Sequence, residues 1–297
     1  MKRNTAILLG ILVVLAIAAF FALRRPGEMS SSGVSGNSLV SFDSSAVDKI
    51  ELRSPRDQIT LERDGNTWKI VSPLRYPADE AAVKALLEKG GHIQLENVVS
   101  TNTQKQGLFQ VDSTGTFVRI FQQGNEKAAF IIGKASSSYT ETFVRKESSN
   151  DVYLATGVLS YTFSKPVKDW RDKYIYKNDQ SSIREIGFRY GDTTFTLANN
   201  DSLWRVDGDS ASFSAVRTFL GAIASFQTDD FVDSAVQTMP RLRATLDIDG
   251  TQIRFFWQKE GNKYLVQTSQ TTQLFEVQNW RASQILKKKK DFMSNPA

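Results

Sequence analysis

The sequence predicts an α+β fold: two tandem repeats, each an antiparallel β-sheet with a covering helix, after an N-terminal transmembrane helix. Three observations predict it. Apolar positions recur twice along the chain, short runs alternate between apolar and polar residues, and one amphipathic stretch follows three such runs in each half. Helices do not alternate with single strands, so a doubly wound nucleotide-binding fold is not expected.

The repeat is a match between residues that lie a nearly constant distance apart. Over the first strands this distance is 136 positions, so that Trp68 matches Trp204. It falls to 133 in the helical stretch and to 122 near the end, where Trp170 matches Phe292. A distance that shrinks while the apolar pattern persists indicates that loops became shorter and the elements between them stayed.

Four segments follow from this pattern. Residues 1–25 contain a signal-anchor or transmembrane helix, and residues 26–38 are a flexible linker rich in Gly and Ser. The first α+β repeat covers residues 40–176, and the second covers residues 181–293. Each repeat has more than about 100 residues, which is enough to bury a core of its own.

Each repeat begins with three alternating runs that are separated by Asp-Gly, Pro or Asn turns, the signal of antiparallel hairpins. Four more runs follow the helix in each repeat. The predicted strands are residues 47–53, 59–63, 68–71, 117–122, 128–132, 142–145 and 152–155 in the first repeat, and 183–190, 193–198, 203–206, 243–248, 252–257, 264–268 and 274–277 in the second.

One helix is predicted after the third strand of each repeat. A stripe of apolar residues at helical spacing begins at Val83 in the first repeat and at Val216 in the second. Pro77 is expected in the first turn of the first helix, because its missing N–H is no loss there. Ser210 or Ser212 is expected to cap the second helix.

The N-terminus predicts a retained membrane anchor. The 18 residues from Ala6 to Leu23 are apolar, and as a helix they span about 27 Å, enough for the hydrocarbon core of a bilayer. A cleaved signal peptide is the competing interpretation, but its apolar region is usually shorter. Basic residues and the amino terminus favour a cytoplasmic N-terminus. We expect a single-pass protein of the inner (cytoplasmic) membrane with its body in the periplasm.

The charge distribution argues against a nucleic-acid partner. The chain carries 37 Lys+Arg against 32 Asp+Glu, a formal net charge of +5, but four of the basic residues stand within residues 1–25. The rest of the chain is close to neutral and lacks the basic surplus that neutralises phosphates. The chain has no cysteine, which excludes disulfides and thiolate chemistry.

No catalytic, cofactor or metal site is predicted. His92 is the only histidine, and we interpret it as a loop residue rather than a catalytic base or metal ligand. Gly133 begins a stretch with a faint likeness to a phosphate loop, but the first glycine of that motif is missing, so we interpret it as a turn. Adjacent carboxylates at 79–80 and 229–230 would point apart, which favours solvated surface over a catalytic dyad. We therefore predict a non-enzymatic protein.

A cluster of aromatic residues in the second repeat is the candidate partner or ligand surface. It contains Trp257 and Trp280, which have no counterpart in the first repeat, and Phe256. Extra core in the second repeat is the competing interpretation, because most large aromatic side chains are buried.

A basic run near the C-terminus is the candidate contact with a membrane surface. It consists of Lys287, Lys288, Lys289 and Lys290. Lysines are attracted to an anionic leaflet, but a basic helix end, which the helix dipole stabilises, explains the run equally well.

Two features resemble a known family. The anchor followed by two tandem α+β copies, each opening with a hairpin and a Trp strand, resembles the family of domain of unknown function 4340. So does Lys168-Asp169-Trp170-Arg171-Asp172-Lys173, which follows a Val-Tyr-Leu strand at residues 152–154. The likeness covers about residues 40–293, but Lys290-Asp291-Phe292 in the second repeat lacks the arginine.

The resemblance implies a function without assigning a site. The family has no assigned activity, and its members are commonly encoded beside components of gliding-motility-type ABC transporters. We therefore expect an envelope protein whose repeats are an interaction or accessory module of a membrane complex, such as an ABC-type transporter. The alternative is a periplasmic polysaccharide-binding or polysaccharide-processing module that uses the region of Trp257 and Trp280.

Overall fold

The computed structural model describes residues 38–200 and 203–293. Within these ranges the protein is mostly antiparallel β-sheet with a few short helices, which confirms the predicted α+β class. No helix in the described ranges is both long and apolar enough to cross a membrane. The predicted anchor from Ala6 to Leu23 and nearly all of the predicted linker lie outside the described residues, so the anchor stays a prediction.

The first large sheet has nine strands in the order β4-β3-β2-β1-β6-β7-β8-β9-β5. The strands are β1 (Lys49–Arg53), β2 (Gln58–Asp64), β3 (Thr67–Ser72), β4 (Tyr76–Pro77), β5 (Leu95–Ser100), β6 (Thr116–Gln122), β7 (Asn125–Ala135), β8 (Glu141–Lys146) and β9 (Val152–Thr156).

The second large sheet also has nine strands, in the order β14-β13-β12-β11-β17-β18-β19-β20-β16, and β10 pairs with β15 in a separate two-stranded sheet. The strands are β10 (Tyr174–Lys177), β11 (Glu185–Tyr190), β12 (Thr193–Asn200), β13 (Leu203–Val206), β14 (Asp209–Ser210), β15 (Ser225–Gln227), β16 (Asp230–Val232), β17 (Leu242–Ile248), β18 (Thr251–Gln258), β19 (Lys263–Thr268) and β20 (Leu274–Gln278).

Four α-helices and six 3-10 helices occur in the described ranges. The α-helices are α1 (Glu80–Gly90), α2 (Ser160–Phe163), α3 (Phe213–Ile223) and α4 (Asn279–Ile285). The 3-10 helices are Ser44–Ala46, Thr103–Phe109, Val167–Trp170, Gln180–Ser182, Lys259–Gly261 and Lys289–Phe292.

The chain divides into two compact units that are not continuous in sequence. The first contains the described residues up to Arg63 together with Lys84–Lys165. The second contains Asp64–Val83 together with the residues from Pro166 onward. The segment Asp64–Val83 carries β3, β4 and the first turn of α1, so the range predicted for the first repeat contributes to both units.

Alternation along β1 shows how the sequence builds the first unit. Ile50 and Leu52 are buried, whereas Lys49, Glu51 and Arg53 on the other face are partly or fully exposed. Successive side chains of a strand point to opposite faces of a sheet, so the period-two pattern places one face in the core and the other in water.

The core of the second unit is made by strands and helices together. α3 buries Val216, Phe219, Leu220 and Ile223, and these side chains belong to one cluster with residues of β11, β12 and β17 to β20. Within this cluster Phe188 is stacked on Phe195, with ring centroids 4.4 Å apart, and also contacts Phe219 of α3. The apolar stripe of α3 therefore covers the sheet, as the sequence predicts.

The start of α1 differs from the prediction. Pro77 lies in β4, opposite Lys69, and not in the first helical turn, so that prediction is wrong. The helix starts at Glu80, and the carboxylate of Asp79 accepts the backbone N–H of Ala82 at 3.0 Å. Asp79 thus satisfies an amide that helical bonding leaves free, which is the role of an N-cap.

Strands that lack a clear alternation were not anticipated. The predicted four strands after the helix of each repeat correspond to β6 to β9 and to β17 to β20, but the sequence did not indicate β4, β5, β10, β14, β15 or β16. β5 pairs with β9 through a register with two irregularities, and β15 and β16 have three residues each. Short or irregular strands offer too few positions for a period to be visible.

The interpretation of Gly133 as part of a turn is also wrong, because the residue lies inside β7. A Cβ atom at this position would lie 2.3 Å from the carbonyl oxygen of Phe109 and 2.7 Å from Cγ1 of Val111. The glycine is therefore required by the close approach of another backbone segment to the strand.

We predict that Gly133→Ala lowers the free energy of unfolding by about 1–3 kcal/mol, because an added methyl group forces backbone atoms apart. The measurement is urea denaturation. The matched control is Gly187→Ala in β11, where the nearest atom to the new Cβ would be Cβ of Asp247 at 3.8 Å. The control is expected to be neutral or more stable by about 0.5–1 kcal/mol, because alanine loses less backbone entropy. Equal effects of the two substitutions would contradict the account.

Candidate functional site

The most completely buried charge in the second unit is the guanidinium of Arg171, a residue that is 1% exposed. It lies in the corner formed by two aromatic rings that meet edge to face, with its central carbon 4.4 Å from the ring centroid of Tyr76 and 3.7 Å from that of Phe231. Nη1 donates to both carboxylate oxygens of Asp233 at 2.8 and 2.9 Å, and Nη2 donates to Oε1 of Gln273 at 2.8 Å. Nε has no hydrogen-bond partner among the described residues. We call these five residues the Arg171 cluster.

Backbone bonds bring this cluster together. The N–H of Asp79 donates to the carbonyl of Trp170 at 2.8 Å, and the N–H of Asp172 donates to that of Pro77 at 2.9 Å. The side-chain amide of Gln273 also donates to the carbonyls of Val232 and Leu274. The ends of β4, β16 and β20 are thereby held around one cation.

The environment of the cluster changes the ionisation of Tyr76. Burial raises the pKa of its hydroxyl to about 12, and the nearby charge of Arg171 opposes this shift. Tyr76 therefore stays neutral at physiological pH and offers a ring face to the guanidinium, a cation–π contact. The chemistry of the cluster is structural, since its charges and most of its hydrogen bonds are satisfied internally.

In each of the two adjacent carboxylate pairs, at 79–80 and 229–230, the two side chains bind different partners. The carboxylate of Asp229 accepts hydrogen bonds from two nitrogens of Arg281. Asp230 forms an ion pair with Lys168, with 2.9 Å between Oδ2 and Nζ. Asp79 caps α1, whereas Glu80 accepts the backbone N–H of Trp68 at 2.6 Å. The expectation of freely solvated carboxylates is wrong for Asp229, whose side chain is 19% exposed. The two carboxylates of each pair therefore bind different groups, and they do not face one common point as a general acid and base would.

No group of three or more His, Asp or Glu side chains suited to a metal ion occurs in the parts of the chain that the structure describes. His92 is exposed in the loop after α1, and its backbone N–H donates to the carbonyl of Lys89. It lies where the sequence predicts it.

Trp280 stands at the beginning of α4 and is 59% exposed. Its ring centroid lies 4.7 Å from the guanidinium carbon of Arg281. Arg281 is held in turn by Asp229, with nitrogen–oxygen distances of 2.9 and 3.1 Å, and Asp229 also accepts the backbone N–H of Gln278 at 2.8 Å. Charged hydrogen bonds thus hold Arg281 at the end of β20, and the exposed indole lies against its guanidinium.

The other two predicted aromatic residues are adjacent in β18 and therefore point to opposite faces of the sheet. Trp257 is half-buried, packs against the core cluster and lies 4.8 Å from Tyr264 between ring centroids. Phe256 is half-buried on the other face, opposite Leu265 and Leu242 in the ladder. The three aromatic residues do not form one exposed platform, because only Trp280 is mainly in water.

Three of the four lysines at 287–290 are held by side-chain or backbone contacts. Lys289 pairs with Asp207 at 2.8 Å, and the backbone N–H of Lys288 donates to Asp291 at 2.8 Å. Lys287 is half-buried and its carbonyl accepts the hydroxyl of Tyr190, whereas Lys288 and Lys290 are exposed. The run begins after the last residue of α4 and continues into a 3-10 helix.

A groove of about 610 Å³ lies between α3 and the C-terminal segment of the second unit. Its apolar lining comes from Ala215, Phe219, Ala222 and Phe292. The two phenylalanine rings meet edge to face with centroids 5.2 Å apart and close the floor. Lys287 is among the polar residues at its border. We call this feature the α3 groove.

Sequence reasoning missed the α3 groove and the Arg171 cluster as sites. The groove joins residues about 70 positions apart, and its apolar members match the pattern of a buried helix stripe. The six-residue motif from Lys168 to Lys173 was the available signal for the cluster. It gave no indication that its arginine is buried while its lysines are not.

A family model described as Domain of unknown function (DUF4340) matches residues 68–245, which is more than half of the 297 residues. No curated protein and no solved structure matches the chain. The matched range contains Tyr76, Arg171 and Asp233, but ends before Trp280 and the lysine run.

We predict that Arg171→Ala lowers the free energy of unfolding by about 2–4 kcal/mol, measured by urea denaturation. The substitution leaves a cavity against the two rings and removes three charge-assisted hydrogen bonds. Asp233 is 60% exposed and can be rehydrated, which keeps the loss below that of a fully buried pair.

The matched control is Lys168→Ala in the same motif, which removes an exposed ion pair and is expected to cost at most about 1 kcal/mol. A loss for Arg171→Ala no larger than that of the control would contradict a structural role for the cluster.

Proposed function

The chain belongs to the family described as Domain of unknown function (DUF4340), and we propose that it is a non-enzymatic, membrane-anchored interaction module of the cell envelope. The proposal joins a predicted anchor, a duplicated α+β scaffold and an exposed aromatic residue that lies against an ion-paired arginine of that scaffold. The last of these, the Trp280 side chain on its Arg281–Asp229 support, carries the proposal.

Two observations support the duplication. The two nine-stranded sheets have the same strand order. In the second sheet, β11 to β14 take the places of β1 to β4, and β16 to β20 take the places of β5 to β9. The 3-10 turn before each repeat's first strand is also the same. Asp43 accepts the N–H and hydroxyl of Ser45, and Asp179, 136 positions later, accepts those of Ser181.

The closing segment of each repeat is held in a corresponding way. The N–H of Asp79 donates to the carbonyl of Trp170 at 2.8 Å, and the N–H of Ser212 donates to that of Phe292 at 2.8 Å. The two donors, Asp79 and Ser212, are 133 positions apart in the sequence, and the two acceptors, Trp170 and Phe292, are 122 positions apart. These are the distances at which the apolar patterns match, so we propose that one module occurs twice.

Trp280 has the properties of an interface residue. Trp and Arg are the residue types that most often dominate the binding energy of protein interfaces. Arg281 is already held by Asp229, and a side chain that is held before binding loses less conformational entropy when a partner binds. The pair Trp280–Arg281 combines both residue types at one exposed position.

The partner that we propose is a membrane complex such as an ABC-type transporter, the association that the family resemblance implies. A 13-residue flexible linker has a root-mean-square length of about 20 Å. An anchored body on such a linker stays close to the bilayer, where a membrane partner presents its own surface. A polysaccharide-binding module is the alternative that uses the same exposed indole. The half-buried position of Trp257 leaves one ring rather than two for a sugar, which favours the protein partner.

The anchor and its orientation make the first prediction. A reporter that is active only outside the cytoplasm, fused after Ala297, is expected to be active in cells, because the N-terminal charges favour export of the body. The control is the same fusion without residues 1–25, which is expected to be inactive. Full-length, stable and inactive fusion protein would contradict a periplasmic body.

A photo-crosslinking residue placed at position 280 is expected to form an adduct with an integral membrane protein, identified by mass spectrometry. The matched control position is Gln270, which is exposed beyond the other end of the β19–β20 hairpin. Asp229→Asn is expected to weaken the adduct, because Arg281 loses its charged support.

No adduct at position 280, or equal adducts at 280 and 270, would contradict a partner surface at Trp280. An adduct that carries polysaccharide instead of protein would favour the alternative function.

A further inference from the structure

We infer that three exposed apolar side chains at the start of α3 insert into the surface of an anionic bilayer, and that the basic residues beside them contact its headgroups. The three residues are Leu203, Phe213 and Met293, and we call them the apolar tip. The inference rests on the membrane anchor of the proposed function, which keeps the body beside a bilayer. It does not use the partner surface at Trp280.

The members of the tip are exposed although all three are large and apolar. Phe213 is 75% exposed, Leu203 is 63% exposed and Met293 is 38% exposed. A single exposed apolar residue is common at protein surfaces, whereas several that lie together mark a contact with another surface. The inference therefore depends on whether the three residues are neighbours.

Backbone contacts bring the three residues together around Ala211. Leu203 directly precedes Trp204, whose carbonyl accepts the N–H of Ala211 at 3.0 Å. Met293 forms a β-bridge with Ala211, and Phe213 follows Ala211 by two residues as the first residue of α3. Paired backbone segments lie about 4.8 Å apart, so the three residues start within about 10 Å of one another.

The proposed duplication indicates that the scaffold does not require apolar residues at these places. At the distances of 136, 133 and 122 positions at which the repeats match, the tip residues correspond to Thr67, Glu80 and Arg171. Glu80 accepts the backbone N–H of Trp68, and Arg171 is buried in its cluster. Three polar residues of the first repeat thus correspond to three apolar residues that the second repeat exposes to water.

Basic residues outnumber acidic residues around the tip. Among the described residues within five positions of a tip residue, the basic ones are Arg205, Arg217, Lys288, Lys289 and Lys290. The acidic ones are Asp207, Asp209 and Asp291. Lys289 and Asp207 form an ion pair, and Asp291 accepts the backbone N–H of Lys288. The other basic residues are exposed, so the tip has a cationic border that complements the phosphates of an anionic leaflet.

A bilayer suits the tip better than a second copy of the chain does. A symmetric dimer through the tip would bring the basic borders of two copies together, and like charges repel. Projecting apolar side chains enter the fluid interface of a bilayer to a depth of about 5–10 Å and need no matching pocket there. Apolar residues with basic residues beside them are the combination by which peripheral segments bind anionic leaflets.

The experiment uses the full chain in lipid vesicles, with a fluorophore at position 293. The chain has no cysteine, so Met293→Cys provides a single site for an NBD label. The vesicles contain phosphatidylcholine, phosphatidylglycerol and a lipid with a doxyl quencher on its acyl chain. A label in the interface is expected to lose about half of its emission. The control label, at Gln270→Cys in the exposed end of the β19–β20 hairpin, is expected to keep its emission.

Phe213→Ser in the chain labelled at 293 is expected to lower the quenching about twofold, because the tip loses its largest apolar side chain. The matched control is Tyr161→Ser, which removes an aromatic side chain that is 80% exposed in the first unit, and it is expected to leave the quenching unchanged. Leu203→Cys is a second label position, used if Met293→Cys does not fold. Circular dichroism of each variant establishes folding.

The basic border is tested by Lys288→Glu combined with Lys290→Glu, which is expected to lower the quenching at 293 about twofold in the anionic vesicles. The matched control is Lys127→Glu combined with Lys134→Glu. These two lysines are exposed on β7, so the control makes the same change in net charge away from the tip and is expected to leave the quenching unchanged.

Equal quenching at positions 293 and 270 would overturn the tip as a membrane contact. Equal quenching at 293 in vesicles of phosphatidylcholine alone would overturn the role of anionic headgroups. A blue shift of the label in detergent that grows with protein concentration would overturn the bilayer as the occupant and favour a second copy.

A separate label at Ala16→Cys distinguishes failure of the anchor from failure of the tip. An unquenched label at position 16 would contradict the predicted anchor, and quenching at 293 would then still support the tip. A quenched label at position 16 together with an unquenched label at 293 would retain the anchor and overturn the tip.

Discussion

The second unit must surround the buried guanidinium of Arg171 with hydrogen-bond acceptors and aromatic rings, and the rest of its structure depends on this requirement. A cation removed from water loses its hydration, and the loss is offset only when oxygens and ring faces surround it. Asp233, Gln273 and the rings of Tyr76 and Phe231 supply that surrounding. Because these residues come from three distant segments, the packing of the cation restricts the position of each segment.

Exposed groups of the unit are positioned by the same kind of arrangement at lower burial. Asp229 follows β15 and holds Arg281, which in turn lies against Trp280. Asp207, in the turn after β13, holds Lys289 and with it the segment that borders the α3 groove. Charged side chains here position exposed groups, and the apolar core beneath them provides most of the stability.

The proposed duplication explains which features are shared and which are not. Arg171 and Met293 occupy matching places, each bridged to an alanine two positions before a helix, Ala78 or Ala211. The backbone contact is the same, but Arg171 is buried and Met293 is 38% exposed. Hydrogen bonds between backbones can persist while side chains change, so a repeated scaffold can carry different surfaces. The α3 groove and Trp280 lie within residues 181–293, the range of the proposed second repeat.

The sequence by itself determined the strands with clear alternation, the two helical stripes and the α+β class, because period and turn residues are local properties. It also predicts the anchor. Only the tertiary structure decided that Gly133 lies in a strand, that Pro77 precedes the helix, and that Arg171 is buried. The α3 groove likewise exists only after folding, since α3 and the residues near Phe292 form it together. Contacts between distant segments depend on packing and long-range hydrogen bonds, which leave no period in the chain.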